Sequence, residues 1–346
     1  MRNASLTEKN QSNWQKPKLF TITLVVSLLL LAISVIVSLV FGARIVSFQE
    51  LQDGLLHRQV DSFGASVVSK RVSRTIFSLL CGAALGVAGA LMQSVTRNPL
   101  ADPSILGVNT GAALFVVCGI AFFNITTANA YIWLALVGAA ITAIFVFGIG
   151  SLGRGGATPI KLVLAGAATT AVLSSLVTAI MIPNTYAMDQ FRFWQVGSVG
   201  SATWDGITTF LPFFIIGLII AIIVSPALNA LALGDDVATS LGVRPVYVRI
   251  FGAAAGVILC GAATAIAGPI GFIGLLATHV MRLILGPDVR FLFPMSALTG
   301  AIVLTFSDVV GRLIASPGEL EVGVVTAFLG APILILLAKK SKVRSL

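Results

Sequence analysis

The sequence predicts an all-α integral membrane protein with about ten transmembrane helices, and three observations predict it. Of the 346 residues, 57% are hydrophobic and only 10% are charged, whereas a soluble domain carries roughly 25% charged residues. The charges are segregated: the windows 19–43, 75–96, 103–153, 162–188, 206–234, 250–281, 291–307 and 322–338 contain none. The alternating ten-residue strand pattern that a membrane barrel requires does not occur.

A bilayer crossing takes about 20 mostly apolar residues. The first, Phe20 to Phe41, follows a long polar lead, MRNASLTEKNQSNWQKPK, and is long enough to span. It therefore reads as a retained helix and not as a cleaved signal. The second lies near 72–95. The 103–153 window exceeds one crossing and divides at FFNITTANA, giving 104–122 and 131–150. Helices near 161–182 and 206–225 follow. The 250–281 window divides at AGPIG, where Gly268 and Pro269 interrupt the backbone ladder. That break gives 248–267 and 270–285, and 291–307 and 322–338 complete the set. The organisation is an amino-terminal tail (1–18), one polytopic domain (19–338) and a carboxy-terminal tail (339–346).

An even number of crossings places both termini on one side. With the termini inside, fifteen Lys and Arg residues fall in inside loops and seven in outside loops. The positive-inside rule then predicts cytoplasmic termini in the cell (inner) membrane. The net charge of +9 belongs to loops facing anionic headgroups, with no nucleic-acid partner. Cys81, Cys118 and Cys260 lie in apolar runs without CxxC spacing, which predicts packing residues and no metal site. No GxxxxGK[ST], HExxH or GxSxG motif occurs, so no enzyme activity and no directly bound cofactor are expected. Gly82/Gly86, Gly107/Gly111 and Gly252/Gly256 form GxxxG pairs suited to close helix packing within one bundle. CGAALGVAGALMQ (81–93) and CGAATAIAGPIGF (260–272) echo each other, as they would if helices 2–5 and 7–10 were an internal repeat.

Four polar islands interrupt this apolar plan. In LALGDDVATSLGVRP, Asp235 and Asp236 open a short helical run, Gly242 stops it and Pro245 prevents its resumption. Too short to be stable alone, the element reads as a capped turn in a loop (about 226–247) or as a knob for a cytoplasmic partner. In RNPLADPSILGVNTG, Asp102 and Pro103 form a helix cap and first turn. Arg71, Arg74 and Arg312 lie toward the outer ends of their helices, either as snorkelling anchors or as a cationic patch for carboxylates of an extracellular partner. His279 sits in GFIGLLATHVMRLILGPD with no acidic chain along its helix, which favours packing or a local hydrogen bond over proton relay.

Together these stretches resemble the FecCD-type permeases of ABC importers for ferric siderophores, haem and cobalamin. The resemblance covers about Arg71 to Lys339 through RVSRTIFSLLCGAALGVAGALMQSVTRNPLADPSILGVNTGAA, FWQVGSVGSATW, LALGDDVATSLGV, AGPIGFIGLLATHVMRLILGPD, SDVVGRLI and GELEVGVVTAFLGAP, in that order. It implies a type II importer permease. Ferric siderophore is the expected cargo, with haem or cobalamin as alternatives. The implied partners are two cytoplasmic ATPase subunits that use the ATP, an extracytoplasmic binding protein and a second permease copy, identical or related. The family's coupling element falls on Asp235, Asp236, Ala238, Leu241 and Gly242, and its binding-protein docking arginines on Arg71, Arg74 and Arg312. A gate region ahead of helix 5 falls on Thr158, Pro159 and Ile160. One departure stands out: Thr278 occupies the position before the histidine where the family usually has proline. An ion-coupled secondary transporter would instead need acidic or polar residues near mid-membrane. Asp102, Asp235, Asp236, Asp288 and Asp308 all map to predicted helix ends or loops.

Overall fold

Backbone in lipid is satisfied only when each segment closes its own hydrogen bonds or joins a closed barrel. The computed structural model, which describes residues 2–42, 44–54, 63–125, 127–153 and 158–340, takes the helical solution throughout. In chain order the helices are α1 (Arg2–Val40), α2 (Phe48–Gln52), α3 (Phe63–Thr96), α4 (Val108–Phe123), α5 (Ala128–Gly150), α6 (Pro159–Met181) and α7 (Thr185–Val196). They continue with α8 (Trp204–Leu231), α9 (Asp235–Ser240), α10 (Pro245–Ala267), α11 (Ile273–Leu285), α12 (Val289–Ile314) and α13 (Val322–Lys340). A 3-10 turn, Pro103–Leu106, precedes α4.

Among the described residues, α1, α3, α5, α6, α8, α10 and α12 are long and apolar enough to cross a membrane. Shorter apolar helices at Val108–Phe123, Ile273–Leu285 and Val322–Ile333 occupy the remaining predicted crossings. Both predicted interruptions are present. α4 ends at Asn124 in the left-handed region, and α10 ends at Gly268, with φ of 72°. Of the predicted tails, residues 2–18 continue α1 as helix, and 341–346 lie outside the described residues. Two helices were not expected. α2 starts on a capping box between Ser47 and Glu50, and α7 is capped by Asn184 and stopped at Gly197.

α3 is the axis of the fold, with 78% of its apolar window buried. α12 packs along it in antiparallel sense: Arg74 meets Asp308, Ser78 meets Thr305, Gly82 faces Gly300 and Gly86 faces Ser296. A Cβ on Gly82 or Gly86 would collide with the α12 backbone, so these small residues set the interhelical distance. The other two GxxxG pairs also act inside the bundle. Gly111 abuts Gly138 and Thr142 of α5, and Gly252 and Gly256 abut Val95 and Met92 of α3. Thr278 is fully buried in α11 and donates to the Gly86 carbonyl at 3.3 Å. A hydroxyl thus ties α11 to α3 at the position where the family usually has proline.

The helix directions define two faces. One holds the amino-terminal end of α3, the carboxy-terminal ends of α1 and α12, and the start of α13, where Gly323 packs on Val196 and Gly197. The other holds the end of α3, all of α9 and the start of α10. The Phe20 ring packs, tilted by 51°, against Phe291 near the start of α12, with ring centroids 4.8 Å apart. The beginning of α1 and the end of α13 therefore lie toward the α9 face.

Candidate functional site

The predicted coupling and docking residues gather at the two ends of α3. At the α9 face, α8 ends at Leu231 and Gly234, with φ of 121°, turns the chain into α9. α9 closes with a hydrogen-bond pair that seals a helix end: Gly242 N–H donates to the Thr239 carbonyl and Val243 N–H to the Ala238 carbonyl, both at 2.9 Å. Gly242 has φ of 80°, and a Cβ there would meet nothing within 4 Å. Pro245 then starts α10. The sequence therefore folds this loop into a single helical turn stopped at both ends by left-handed glycines.

Ala238 is fully buried beneath the turn. Asp235 is its anchor: its carboxylate receives Arg249 Nη2 at 2.8 Å and also pairs with Arg97, whose guanidinium donates to the Leu231 carbonyl as well. Burial opposes the Asp235 charge, but hydrogen bonds and attraction from Arg249, then Arg97, outweigh it and hold the carboxyl below its usual range. Asp236 is exposed and has no ion-pair partner among the described residues. The outer surface of the turn is open and offers apolar side chains beside polar ones: Leu241 is 62% exposed, with Val237 and Leu233 exposed alongside Asp236, Thr239 and Ser240.

At the opposite end, the structure brings Arg71, Arg74 and Arg312 together, but as an internal network. Arg71 donates to the Leu39 and Val40 carbonyls, each at 2.9 Å, and to the Arg44 carbonyl at 2.6 Å. Arg312 donates to the Ser38 and Phe41 carbonyls at 3.1 and 3.2 Å and pairs with Asp308 at 3.0 Å. These two guanidiniums therefore cap the last carbonyls of α1, which have no intrahelical partner. Arg74 forks onto Asp308 at 2.7 Å and reaches Glu319 at 2.7 Å. Arg71, Arg312 and Asp308 are buried, whereas Glu319 is 45% exposed. The open cationic patch expected from sequence is instead a closed cluster with one accessible member, Glu319, which pairs with the largely covered Arg74.

Thr158, Pro159 and Ile160 form the start of α6, where Thr158 Oγ1 caps Lys161 N–H and Ile160 is 73% exposed. Asp102 caps the 3-10 turn by accepting from Ser104 N–H at 3.0 Å, as expected. The His279 Nδ1 atom is buried without a partner among the described residues.

The chain matches the FecCD transport family over residues 30–340. It is 42% identical to the ferric enterobactin transport system permease protein FepD of Escherichia coli over 90% of this chain and 93% of that one. It is 38% identical to the iron(3+)-hydroxamate import system permease protein FhuB of Bacillus subtilis, over 93% of this chain and 84% of FhuB. It is 43% identical to the Fe(3+)-citrate import system permease protein YfmD of Bacillus subtilis, over 79% of this chain and 80% of YfmD. The fold is similar to a metal-chelate type ABC transporter solved in an inward-facing conformation. The TM-score is 0.81 at 27% identity, covering 93% of this chain and 99% of that one.

Proposed function

From the premise that the chain belongs to the FecCD transport family, we propose that it is the membrane permease subunit of an ATP-driven importer for a ferric chelate, with ferric siderophore as the expected class. The relatives named above all carry iron complexes, which favours iron over haem or cobalamin. ATP hydrolysis belongs to separate cytoplasmic subunits, and the cargo arrives from an extracytoplasmic binding protein.

The observation that carries the mechanism is the α9 turn. It is held to the permease body from below, through Asp235 and buried Ala238, and offers Val237 and Leu241 to whatever lies beyond. A partner cleft that received Leu241 and pressed on the Gly242 tip would move Asp235, and through Arg97 and Arg249 the ends of α3 and α10. In this reading the α9 face is cytoplasmic and the arginine face receives the binding protein. Arg74 is the docking cation: an incoming carboxylate can reach it by displacing the exposed Glu319. Arg71 and Arg312 position it by holding the end of α1 against the cluster.

A second permease copy completes the path. α1 and α6 have equally little of their apolar windows buried, 17% each. α1 exposes Ile22, Val25, Leu29 and Ile33, while α6 exposes Ser174, Ser175 and Thr178 among its apolar residues. The aliphatic surface suits lipid, and the hydroxyl-bearing surface suits a passage shared with a partner. Thr158, Pro159 and Ile160 stand at the cytoplasmic mouth of that passage. Reconstitution with the ATPase and binding protein of the same operon should give ATP-dependent uptake of a ⁵⁵Fe-labelled chelate. Equal uptake in vesicles lacking the ATPase would defeat the assignment.

A further inference from the structure

On the α7 side of the arginine face lies an open cavity of about 880 Å³. Its wall includes the carboxylates Asp205, Glu319 and Glu321, and hydroxyls such as Ser198, Thr203 and Thr209; no Lys or Arg lines it among the described residues. Glu319 is engaged by Arg74. Asp205 and Glu321 have no ion-pair partner among the described residues; they stand at the starts of α8 and α13, where the helix end offsets only part of their charge. The Trp194 indole N–H is buried at the same wall without a partner among the described residues. A second cavity of about 390 Å³ lies between α4, α6 and α7. Its wall is mostly apolar, with Asn109, Thr110, Ser174, Thr178 and Gln195 as its polar groups and no ionisable group among the described residues.

We infer that this permease admits neutral or cationic ferric chelates and rejects polyanionic ones. The inference rests on the permease reading above and adds the charge class of the cargo. A polyanionic chelate of the tris-catecholate or polycarboxylate kind would meet two unpaired carboxylates at the entrance. Among the described residues no Lys or Arg lines either cavity, and Arg74, beside Gly200 at the rim, is already held by Asp308 and Glu319. A cleft lined by one sign of charge concentrates ions of the opposite sign and depletes its own. A neutral or monocationic trihydroxamate escapes that penalty, and the amides and hydroxyls of the second cavity can hydrogen-bond to its ligand shell. Overall identity does not decide the matter, because permeases named for enterobactin, hydroxamate and citrate transport are all about equally similar to this chain.

The test uses the full chain assembled with its ATPase subunits in nanodiscs, without binding protein. A cysteine replacing Thr209 reports the cavity potential through its rates of reaction with cationic and anionic methanethiosulfonates of similar size. The cation should be preferred by about tenfold relative to a free thiol, and Asp205→Asn with Glu321→Gln should return the ratio to the free-thiol value. Binding of a monocationic ferric trihydroxamate and of a ferric tris-catecholate is then followed by quenching of tryptophan fluorescence. The trihydroxamate should quench at lower concentration, and the two substitutions should narrow the gap. Equal reaction rates, equal quenching by the two chelates, no quenching by either, or a ratio unmoved by the substitutions would each overturn the inference. Failure of ATP-dependent uptake with this selectivity intact would count against the permease reading instead.

Discussion

The two ends of α3 both carry arginines, yet they are built in opposite ways. At one end Arg71, Arg74 and Arg312 are folded inward onto Asp308 and the last carbonyls of α1, leaving only Glu319 accessible. At the other, Arg97 joins Arg249 in gripping Asp235, and the turn they hold presents open apolar side chains. The difference teaches that a cluster of cations near a membrane surface is not by itself a docking patch. What matters is how much of its charge is left after the helix ends have taken their share. The first end is a closed lock; the second is a handle.

The sharpest way to break that contrast is at the tip of the handle. Gly242→Arg has free space and costs only about 1 kcal/mol of left-handed strain. The protein should therefore insert normally while uptake falls to background, measured with labelled chelate in a deletion strain. Uptake above a tenth of wild type would remove α9 from the coupling role.

Next in size is the lock. Asp308→Ala leaves Arg74 without its buried counter-ion and Arg312 with only its α1 contacts. Removing one member of a buried ion pair costs about 3–5 kcal/mol, so the purified protein should unfold at a clearly lower temperature. An unchanged midpoint would mean that the cluster is solvated and open.

A smaller effect is expected at Glu319→Gln. The carboxylate is half exposed, so the loss of stability should stay within about 1 kcal/mol. Freed from its internal competitor, Arg74 should bind the binding protein a few-fold more tightly in a surface-plasmon titration, and more so at low salt. Weaker docking would show that Glu319 itself makes the contact.

The smallest effect concerns pH. The Asp235 carboxyl is held below its usual range, so its tether is complete above the ordinary Asp value of about 3.9 and fails only as pH falls through the lowered folded value. Association with the ATPase should therefore change less than about twofold between pH 5.5 and 8. A sharp loss between pH 6 and 7 would point to a different titrating group.

Much of this plan was legible in the sequence, because its signals are local. Apolar runs located the ten crossings, Gly268-Pro269 located the α10–α11 break, and Gly242 with Pro245 marked the end of α9 and the start of α10. The spacing of Asp308 and Arg312 already allowed their i,i+4 pair. The partnership of Arg74 with Asp308, 234 residues away, depends on the antiparallel packing of α3 and α12 and left no local trace. The use of Arg71 on the end of α1 was hidden in the same way. α7 was missed because its charges and aromatics break apolar periodicity, although Asn184 and Gly197 bracket it as cap and stop. α2 carried a readable signal in Ser47-Phe48-Gln49-Glu50, a capping box four residues long.

The most direct test is a cysteine in place of Leu241, at the exposed edge of the handle, in cells that also make the ATPase. It should form a cross-link to that subunit and remain unlabelled by a membrane-impermeant thiol reagent added outside. Labelling from outside, with no cross-link, would place the handle on the wrong side of the membrane and contradict the account.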